Sequence, residues 1–424
     1  MRLELRNVRS FCDVPPVNLR PLTLLVGENS TGKTTFLSML SHVHQGLFPG
    51  VRPTFNVPPF DLGTYDSIAT FKGGSYGRAG EFAVGFAETI KNKERSVVAT
   101  YESHKGQPQL KDLRAKGQEG EVVLAVDKES LHCKVSLSAS KEQTEFSFDL
   151  KRSTPDVEFP MGYLLQVAFS EHIHKKPTTK LNIRGSMEVL QVVRSAQGVV
   201  SALAPVRTKP RRTYDEFSDE FDPEGDHVPV LLSRLGQDDS DVENKEIIEA
   251  LREFGDDSAL YRRIGVKHFG RKPSDPFQIQ VTVAGPPSNL SDVGYGVSQA
   301  LPIIVQSVLS AKDGLLLLQQ PEIHLHPRGQ AALGSFFAKL VATEKKQLVI
   351  ETHSDYLIDR IRLEVAHGTL KPEQVQILFF EKPDIETVIH PIGLDGRGNV
   401  IGAPGSYRRF FLEEEENLFT RTTK

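Results

Sequence analysis

The sequence predicts an α/β protein whose parallel sheet carries a ligand site, joined by an antiparallel β subdomain and a largely helical lobe. Three observations predict this architecture. A Gly-rich loop at 27–35 stands between an apolar run and a helical run. Residues 81–150 alternate apolar and polar side chains, which is typical of antiparallel strands. The apolar run at 314–318 is short and continuous, as in a strand buried within a parallel sheet.

The N-terminal element is a strand, a loop and a helix. Strand-forming segments at 3–8 and 17–26 precede Gly27-Glu28-Asn29-Ser30-Thr31-Gly32-Lys33-Thr34-Thr35, which fits the phosphate-loop pattern G-x-x-x-x-G-K-[ST]. The glycines let the backbone approach a polyphosphate, and the amides that open the following helix favour an anion. We expect Lys33 to reach the β- and γ-phosphates and Thr34 to place its hydroxyl on Mg²⁺. The predicted cofactors are therefore ATP and Mg²⁺, with the nucleotide held by Gly27, Asn29, Ser30, Thr31, Gly32, Lys33, Thr34 and Thr35.

The middle of the chain changes pattern twice. The antiparallel meander at about 81–150 gives way to a region with helical spacing at 243–254 and acidic, Gly-containing loops at 215–225 and 236–243. We predict an N-terminal lobe at 1–150, a helical insertion lobe at 151–299 and a C-terminal lobe at 300–424.

The second informative block follows the apolar run at 314–318. It reads Gln319-Gln320-Pro321-Glu322-Ile323-His324-Leu325-His326-Pro327. A Walker B strand normally ends in an acid that orders Mg²⁺, often followed by a Glu that polarises water. Gln319 and Gln320 occupy those positions, so we expect slow hydrolysis and only weak contact of Gln319 with the metal. Glu322 is the nearest carboxylate on the loop, and our hypothesis is that it, or a residue of a partner protomer, takes over part of the catalytic role.

The next predicted strand, at 347–351, is followed by Thr352-His353-Ser354. Ligands of open α/β sheets bind at the carboxyl ends of the strands, so His353 is a candidate contact to a γ-phosphate. The alternative is that His353 caps the helix that begins near Asp355.

Together these residues resemble an ABC-type ATPase of the RecF/SMC/OLD lineage. Within it they are most similar to small bacterial ATPases of the AAA class, many from anti-phage defence loci, such as the ATPase subunits of the PARIS or Septu type. The specific blocks are 321–327 and 351–354, and the likeness extends to 203–207, 292–299 and roughly Gly405. The resemblance implies a P-loop ABC-type ATPase head with an antiparallel β subdomain and a helical lobe.

The resemblance also implies roles for particular segments. The stretch 292–299 resembles the signature motif, in which Gly296 and Ser298 would meet the γ-phosphate held by another protomer. His353 would be the switch histidine. Because phosphate loop and signature lie on opposite faces in this family, two protomers would trap two nucleotides, giving a homodimer or higher homo-oligomer. Arg207 is open to several interpretations: a contact to phosphate, DNA or a partner, or a solvated basic loop.

Three functions compete for this sequence. The first is an ATP-gated sensor that controls a separate effector protein, a nuclease or a toxin, in anti-phage defence. The second is a RecF-like ATPase that binds DNA in repair. The third, a transporter subunit, is weakest because the Leu-Ser-Gly-Gly-Gln signature is missing. We expect no two-metal nuclease site on this chain, since Asp384 and Asp395 stand apart.

Composition and charge restrict the predicted cellular location, but they do not distinguish the first two functions. The chain has 424 residues, a formal net charge of −4 and two cysteines, Cys12 and Cys133. No strong basic field indicates nucleic acid, and the cysteine spacing indicates no metal site. No apolar run approaches the length of a membrane span. We therefore expect a cytoplasmic protein that does not engage the membrane.

Overall fold

In a computed structural model of the chain, the structure describes residues 1–44, 55–74, 77–90, 93–118, 120–127, 130–137, 143–149, 200–215, 218–234, 242–272, 275–312, 314–407, 409 and 413. Residues 151–199 of the predicted helical insertion lobe and part of the predicted loops at 215–225 and 236–243 lie outside the described residues. So does most of the acidic segment at 413–416.

The strands in chain order are β1 (Arg2–Val8), β2 (Phe11–Asn18), β3 (Leu22–Gly27), β4 (Asn56–Val57), β5 (Phe60–Asp61), β6 (Glu81–Ile90), β7 (Lys93–His104), β8 (Gln107–Gly117), β9 (Gly120–Asp127), β10 (Ser130–Leu137), β11 (Gln143–Asp149), β12 (Val200–Leu203), β13 (Arg263–His268), β14 (Phe277–Thr282), β15 (Ser288–Asn289), β16 (Leu315–Gln319), β17 (Gln347–Glu351), β18 (Val375–Glu381), β19 (Val388–Leu394) and β20 (Val400–Ile401). The helices are α1 (Lys33–His44), α2 (Tyr65–Ile68), α3 (Val228–Arg234), α4 (Val242–Ser258), α5 (Tyr295–Leu309), α6 (Pro327–Glu344) and α7 (Asp355–Ala366), with 3₁₀ turns at Leu290–Asp292 and Pro372–Gln374.

The predicted meander forms one eight-stranded sheet, in the order β11-β10-β9-β8-β7-β6-β1-β2. Every neighbouring pair in it is antiparallel. Its buried residues pack with α1 and with aromatic side chains such as Phe55, Phe82 and Tyr101. The alternation in 81–150 therefore predicted an antiparallel subdomain correctly, and the N-terminal strands β1 and β2 extend it.

The second sheet is mostly parallel and has the order β12-β16-β17-β3-β18-β19-β20. The four pairings from β12 to β18 are parallel, whereas β18-β19 and β19-β20 are antiparallel. Strand β3, which leads into the phosphate loop, lies between β17 and β18. All five residues of β16 are buried, as predicted for the run at 314–318. Both ends of the chain thus build one sheet, and the carboxyl ends of its parallel strands share one edge.

The segment between the two sheets differs from the prediction of a largely helical lobe. α4 confirms the helical spacing at 243–254, but β13, β14 and β15 form a separate three-stranded sheet. β14 has the alternating burial of a strand that covers a core with one face. β12 joins the parallel sheet beside β16, so the described part of 200–299 is mixed α/β. The described parts contain no helix long and apolar enough to cross a membrane.

Candidate nucleotide-binding site

The phosphate loop connects β3 to α1 and is held tightly at both glycines. Gly27 has φ +146°, and a Cβ there would overlap the carbonyl oxygen of Phe380 on β18. Gly32 has φ +100°, and a Cβ there would lie 2.8 Å from Cζ of Phe11 on β2. Only glycine fits such contacts at positive φ. The loop is therefore fixed between the two sheets by its neighbours.

Hydrogen bonds within the loop fix its shape further. The Thr31 hydroxyl donates to the Glu28 carbonyl at 2.8 Å. The Lys33 ammonium donates to the carbonyls of Gly27 at 3.0 Å and Glu28 at 2.7 Å, and the side chain is buried. Burial lowers the pKa of Lys33, while the carboxylates of Glu351 and Glu28 oppose that shift. A positive charge thus lies inside the loop, at the start of a 12-residue helix.

Thr34, the predicted Mg²⁺ contact, meets a residue that sequence reasoning missed. Its hydroxyl lies 3.0 and 3.2 Å from the two carboxylate oxygens of Glu351, the last residue of β17. Glu351 is only 5% exposed. Burial raises the pKa of Glu351, and Lys33 and Thr34 act against that rise. The two groups are 317 residues apart in sequence, so only the order of the sheet brings them together.

A cleft of about 700 Å³ opens over the loop. Its lining includes the predicted residues Asn29, Ser30, Gly32, Lys33, Thr34, Thr35 and Gln320, together with Glu351. It also includes residues that the sequence did not indicate: Arg9, Phe71, Arg78 and Lys382. Arg9 donates to the Thr35 hydroxyl at 3.2 Å, and the Arg78 guanidinium lies 5.2 Å from the centre of the exposed Phe71 ring. The cleft therefore offers several cations and an exposed aromatic ring, a lining suited to a nucleoside polyphosphate.

The glutamines that replace the Walker B acids lie at the carboxyl end of β16. Gln319 is buried, and its Nε2 has no hydrogen-bond partner among the described residues. Gln320 has φ +42°, and its backbone N–H donates to the Glu351 carbonyl at 2.7 Å. Gln320 lines the cleft. The strand therefore delivers amides, and no carboxylate of its own, to the place where a Walker B acid is expected.

Glu322 follows the two glutamines in sequence, and its carboxylate contacts His353 and lies near Arg207. One carboxylate oxygen accepts the backbone N–H of His353 at 2.7 Å, and the side chain is 7% exposed. Burial raises the pKa of Glu322, against several hydrogen bonds and the charge of Arg207. Arg207 is buried and donates to the Gln319 carbonyl at 3.4 Å, so it is not a solvated basic loop. Burial lowers the pKa of Arg207 to about 10, opposed by Glu322.

His353 is exposed, in contrast to its buried neighbours Thr352 and Ser354. Partial burial and the charge of Lys33 lower the pKa of its imidazole. The alternative that His353 caps the next helix is wrong, because the Ser354 hydroxyl accepts the Leu357 N–H at 3.0 Å at the start of α7. Its imidazole is therefore not engaged in capping, and it lies within electrostatic reach of the phosphate loop.

The signature-like segment lies away from the cleft. None of residues 292–299 lines it, and a Cβ on Gly296 would lie 3.1 Å from the His324 carbonyl. Ser298 is buried, and its hydroxyl donates to the Tyr295 carbonyl at 2.9 Å. The expectation that Ser298 presents its hydroxyl to a phosphate therefore does not fit this arrangement. The exposed part of the segment is Asp292, Gly294 and Tyr295 at the start of α5.

The charges at the cleft are compatible with MgATP, because a buried carboxylate there lacks a cation. No Lys, Arg or His nitrogen lies within 4.0 Å of the Glu351 carboxylate in the part of the chain that the structure describes. A buried carboxylate without a cation is costly. Within the same described residues there is no cluster of three or more His, Cys, Asp or Glu side chains. Mg²⁺ commonly binds through one or two carboxylates together with substrate phosphates, so a single carboxylate is enough.

Comparisons with known proteins agree with these features. The family model described as AAA ATPase domain matches residues 202–358. The OLD nuclease of Thermus scotoductus is 23% identical over 417 residues, covering 93% of this chain and 67% of the relative.

Two similar solved structures are heads of SMC proteins. The SMC head domain from Thermotoga maritima is 10% identical with a TM-score of 0.41, and covers 92% of this chain and 97% of that one. An SMC head bound to the C-winged helix domain of ScpA is 12% identical, also with a TM-score of 0.41, and covers 93% and 97%.

The family match covers the C-terminal motifs, and the phosphate loop joins them through the sheet order β16-β17-β3. The resemblance to ABC-type ATPases of the RecF/SMC/OLD lineage that the sequence predicted is thereby confirmed by the AAA ATPase match and the OLD nuclease relative.

Proposed function

We propose that the chain binds MgATP in the cleft over the phosphate loop and works as a slow, ATP-gated switch. The observation that carries this proposal is the buried Lys33 ammonium and the Thr34 hydroxyl at the start of α1, facing a cleft of about 700 Å³. Amides at a helix start, a lysine and a hydroxyl are the groups that hold a triphosphate and its metal. Mg²⁺ would be held by Thr34 and would neutralise the phosphate charge.

Slow hydrolysis is proposed from the chemistry of the end of β16. Gln319 and Gln320 are amides, so neither accepts a proton from an attacking water as a carboxylate does. Glu322 carries a carboxylate but uses it to hold the His353 N–H, 2.7 Å away, and lies beside Arg207. We propose that Glu322 acts by positioning His353 and the loop, and that it does not itself touch the water.

A second copy of the chain would complete the site. The exposed start of α5, with Gly294 and Tyr295, does not reach the cleft of its own chain. A helix start with exposed amides suits an anion held by another molecule. Two copies arranged about a two-fold axis would each present this helix start to the other's nucleotide. Dimerisation would therefore depend on ATP.

The output of the switch is proposed to lie in a separate effector, a nuclease or a toxin, in anti-phage defence. Support comes from the relative named OLD nuclease, because its name links a similar sequence to nuclease activity. This chain spans about two thirds of the relative's length. That it has no nuclease site of its own stays a prediction. DNA is an alternative partner, and tight DNA binding without nucleotide would favour the RecF-like function.

The test is ATP binding and turnover by the full-length protein and by Lys33→Ala. The wild type should bind a fluorescent ATP analogue in the presence of Mg²⁺ and hydrolyse ATP slowly. Lys33→Ala should lose about tenfold or more in affinity, because it removes the charge inside the loop. Lys105→Ala, which changes an exposed lysine in the β7–β8 turn, serves as the matched control. A wild type that binds no ATP would overturn the proposal.

A further inference from the structure

We propose that Glu351, the last residue of β17, supplies the carboxylate of the Mg²⁺ site that β16 lacks. The carboxylate would thus be on β17, at the position that pairs with Gln319 of β16. This inference rests on the proposed binding of MgATP and names the acidic residue that completes it.

The sheet register makes the two positions equivalent. Gln319 and Glu351 are direct partners in the parallel pairing of β16 with β17, and each is the last residue of its strand. β17 also pairs with β3, the strand that leads into the phosphate loop. The end of β17 is therefore one strand nearer to the loop than the end of β16. A carboxylate at either strand end projects from the same edge of the sheet.

The geometry at Thr34 fits a shared cation. The Thr34 hydroxyl oxygen lies 3.0 Å from one carboxylate oxygen of Glu351 and 3.2 Å from the other. Adjacent ligands of an octahedral Mg²⁺, each bound at about 2.1 Å, lie about 3 Å apart. The observed separation thus suits two oxygens that contact one Mg²⁺ ion. It also suits a carboxylate that orients a hydroxyl bound to that ion. Thr34 and Glu351 both line the cleft, where the phosphates would supply further ligands.

Charge balance points the same way. Glu351 is 5% exposed, and the Lys33 ammonium bonds to the carbonyls of Gly27 and Glu28 instead of to this carboxylate. Within the described residues no Lys, Arg or His nitrogen lies within 4.0 Å of this carboxylate, so no direct ion pair compensates its charge. A divalent cation at the cleft would supply that compensation.

The other carboxylates near the cleft fit the role less well. Glu322 accepts the His353 N–H with one oxygen and lies beside the buried Arg207, and no hydrogen bond joins it to Thr34 in the described part of the chain. Asp384 lines the cleft, but no hydrogen bond joins it to Thr34 in the described part of the chain. Among the carboxylates of the described residues, Glu351 is the one that contacts the Thr34 hydroxyl expected to bind the metal.

The test measures the Mg²⁺ dependence of nucleotide binding, independently of turnover. For the wild type, affinity for a non-hydrolysable ATP analogue should rise on adding Mg²⁺, and Mn²⁺ titrated into the protein–analogue complex should give the electron paramagnetic resonance signal of a bound ion. Glu351→Gln should reduce the Mg²⁺-dependent gain at least tenfold and weaken Mn²⁺ binding. Affinity for the analogue without metal should be unchanged or higher. Glu381→Gln is the matched control, since Glu381 ends β18, the other strand that flanks β3, and pairs with His390 at 3.1 Å.

A charge swap separates a metal role from a structural one. In the double variant Gln319→Glu/Glu351→Gln the carboxylate returns to β16, the register partner, and most of the Mg²⁺-dependent gain should return with it. A Glu351→Gln variant that keeps the wild-type Mg²⁺ dependence would overturn this inference and leave ATP binding standing. Loss in Glu351→Gln without recovery in the double variant would assign Glu351 a structural role and also overturn it. A wild type that binds no nucleotide would overturn the proposed function together with this inference.

Discussion

At the scale of single residues, the buried polar groups under β16 show how the site is held. Arg207, Gln319 and Glu322 are each 7% exposed or less. Nε and Nη1 of Arg207, Nε2 of Gln319 and one oxygen of Glu322 have no hydrogen-bond partner among the described residues. Unpaired buried polar atoms cost about 1–3 kcal/mol each. Their concentration at the strand end beside the cleft fits a site in which stability is given up for function.

A buried histidine predicts how stability depends on pH. His42 on α1 is stacked on Phe55 with ring centres 4.0 Å apart, and its Nε2 lies 3.4 Å from the Tyr101 hydroxyl. Burial lowers the pKa of His42 from 6.5 to about 4. The unfolded chain therefore takes up a proton first as the pH falls, so stability is retained above pH 6.5 and lost between 6.5 and about 4. The loss attributable to His42 should be about 3 kcal/mol.

The measurement is urea unfolding of the wild type and His42→Gln across pH 8 to 4. The variant should lose less free energy of unfolding over this window than the wild type, whatever its stability at pH 8. His104→Gln, which changes an exposed histidine at the end of β7, should follow the wild-type curve. Parallel curves for the wild type and His42→Gln would show that His42 does not drive the acid sensitivity.

At the scale of elements, one buried lysine ties the end of α5 to the parallel sheet. Lys346 immediately precedes β17 and is 1% exposed. Its ammonium donates to the carbonyls of Ser307 and Val308, at 2.7 and 2.6 Å, and lies 2.9 Å from the Glu344 carboxylate. These carbonyls belong to the last turn of α5, where a cation is favourable. The contact links the signature-like helix to the strand that ends in Glu351.

Replacing Lys346 tests the strength of this link. Lys346→Met keeps the aliphatic stem but removes the charged donor from two buried carbonyls, of which that of Ser307 still accepts the Ser310 hydroxyl at 2.9 Å. The variant should lower the free energy of unfolding by about 2–4 kcal/mol. Lys345→Met changes the exposed neighbouring lysine and should have an effect within about 0.5 kcal/mol. Chemical denaturation at pH 7 measures both. Equal stability of the two variants would contradict a capping role for Lys346.

The elements also show what the sequence could predict and what it could not. Alternation in 81–150 and the apolar run before Gln319 predicted strands correctly, because each pattern reports the burial of its own residues. The phosphate loop was predictable because its residues are consecutive. The contact of Glu351 with Thr34 depends on β17 lying between β16 and β3, a pairing between distant segments. Arg9, Phe71 and Arg78 reach the cleft for the same non-local reason, so no local pattern indicated them.

At the scale of the whole molecule, the proposed nucleotide contacts come from two segments that are distant in sequence. The N-terminal end supplies the phosphate loop, while residues 292–299 supply a helix start that does not line the cleft. The family match at 202–358 contains this helix start but not the phosphate loop. If the proposed site needs both parts, it would be complete only between two copies. Oligomeric state should therefore respond to ATP, and the surface responsible should be the start of α5.

Gly294→Asp tests that surface without disturbing the single chain. Gly294 precedes α5 with φ −59° and ψ 147°, and a Cβ there meets no atom within 4 Å. Aspartate is a favoured residue at a helix start, so the monomer should be as stable as the wild type or slightly more stable. Its carboxylate would lie at the start of the helix and repel a phosphate from another protomer. Sedimentation with a non-hydrolysable ATP analogue should show a dimer for the wild type and a nucleotide-bound monomer for Gly294→Asp.

Gly396→Asp adds the same charge at another open glycine, between β19 and β20, and should still dimerise. A Gly294→Asp protein that dimerises like the wild type would exclude the start of α5 as the contact to the partner's nucleotide.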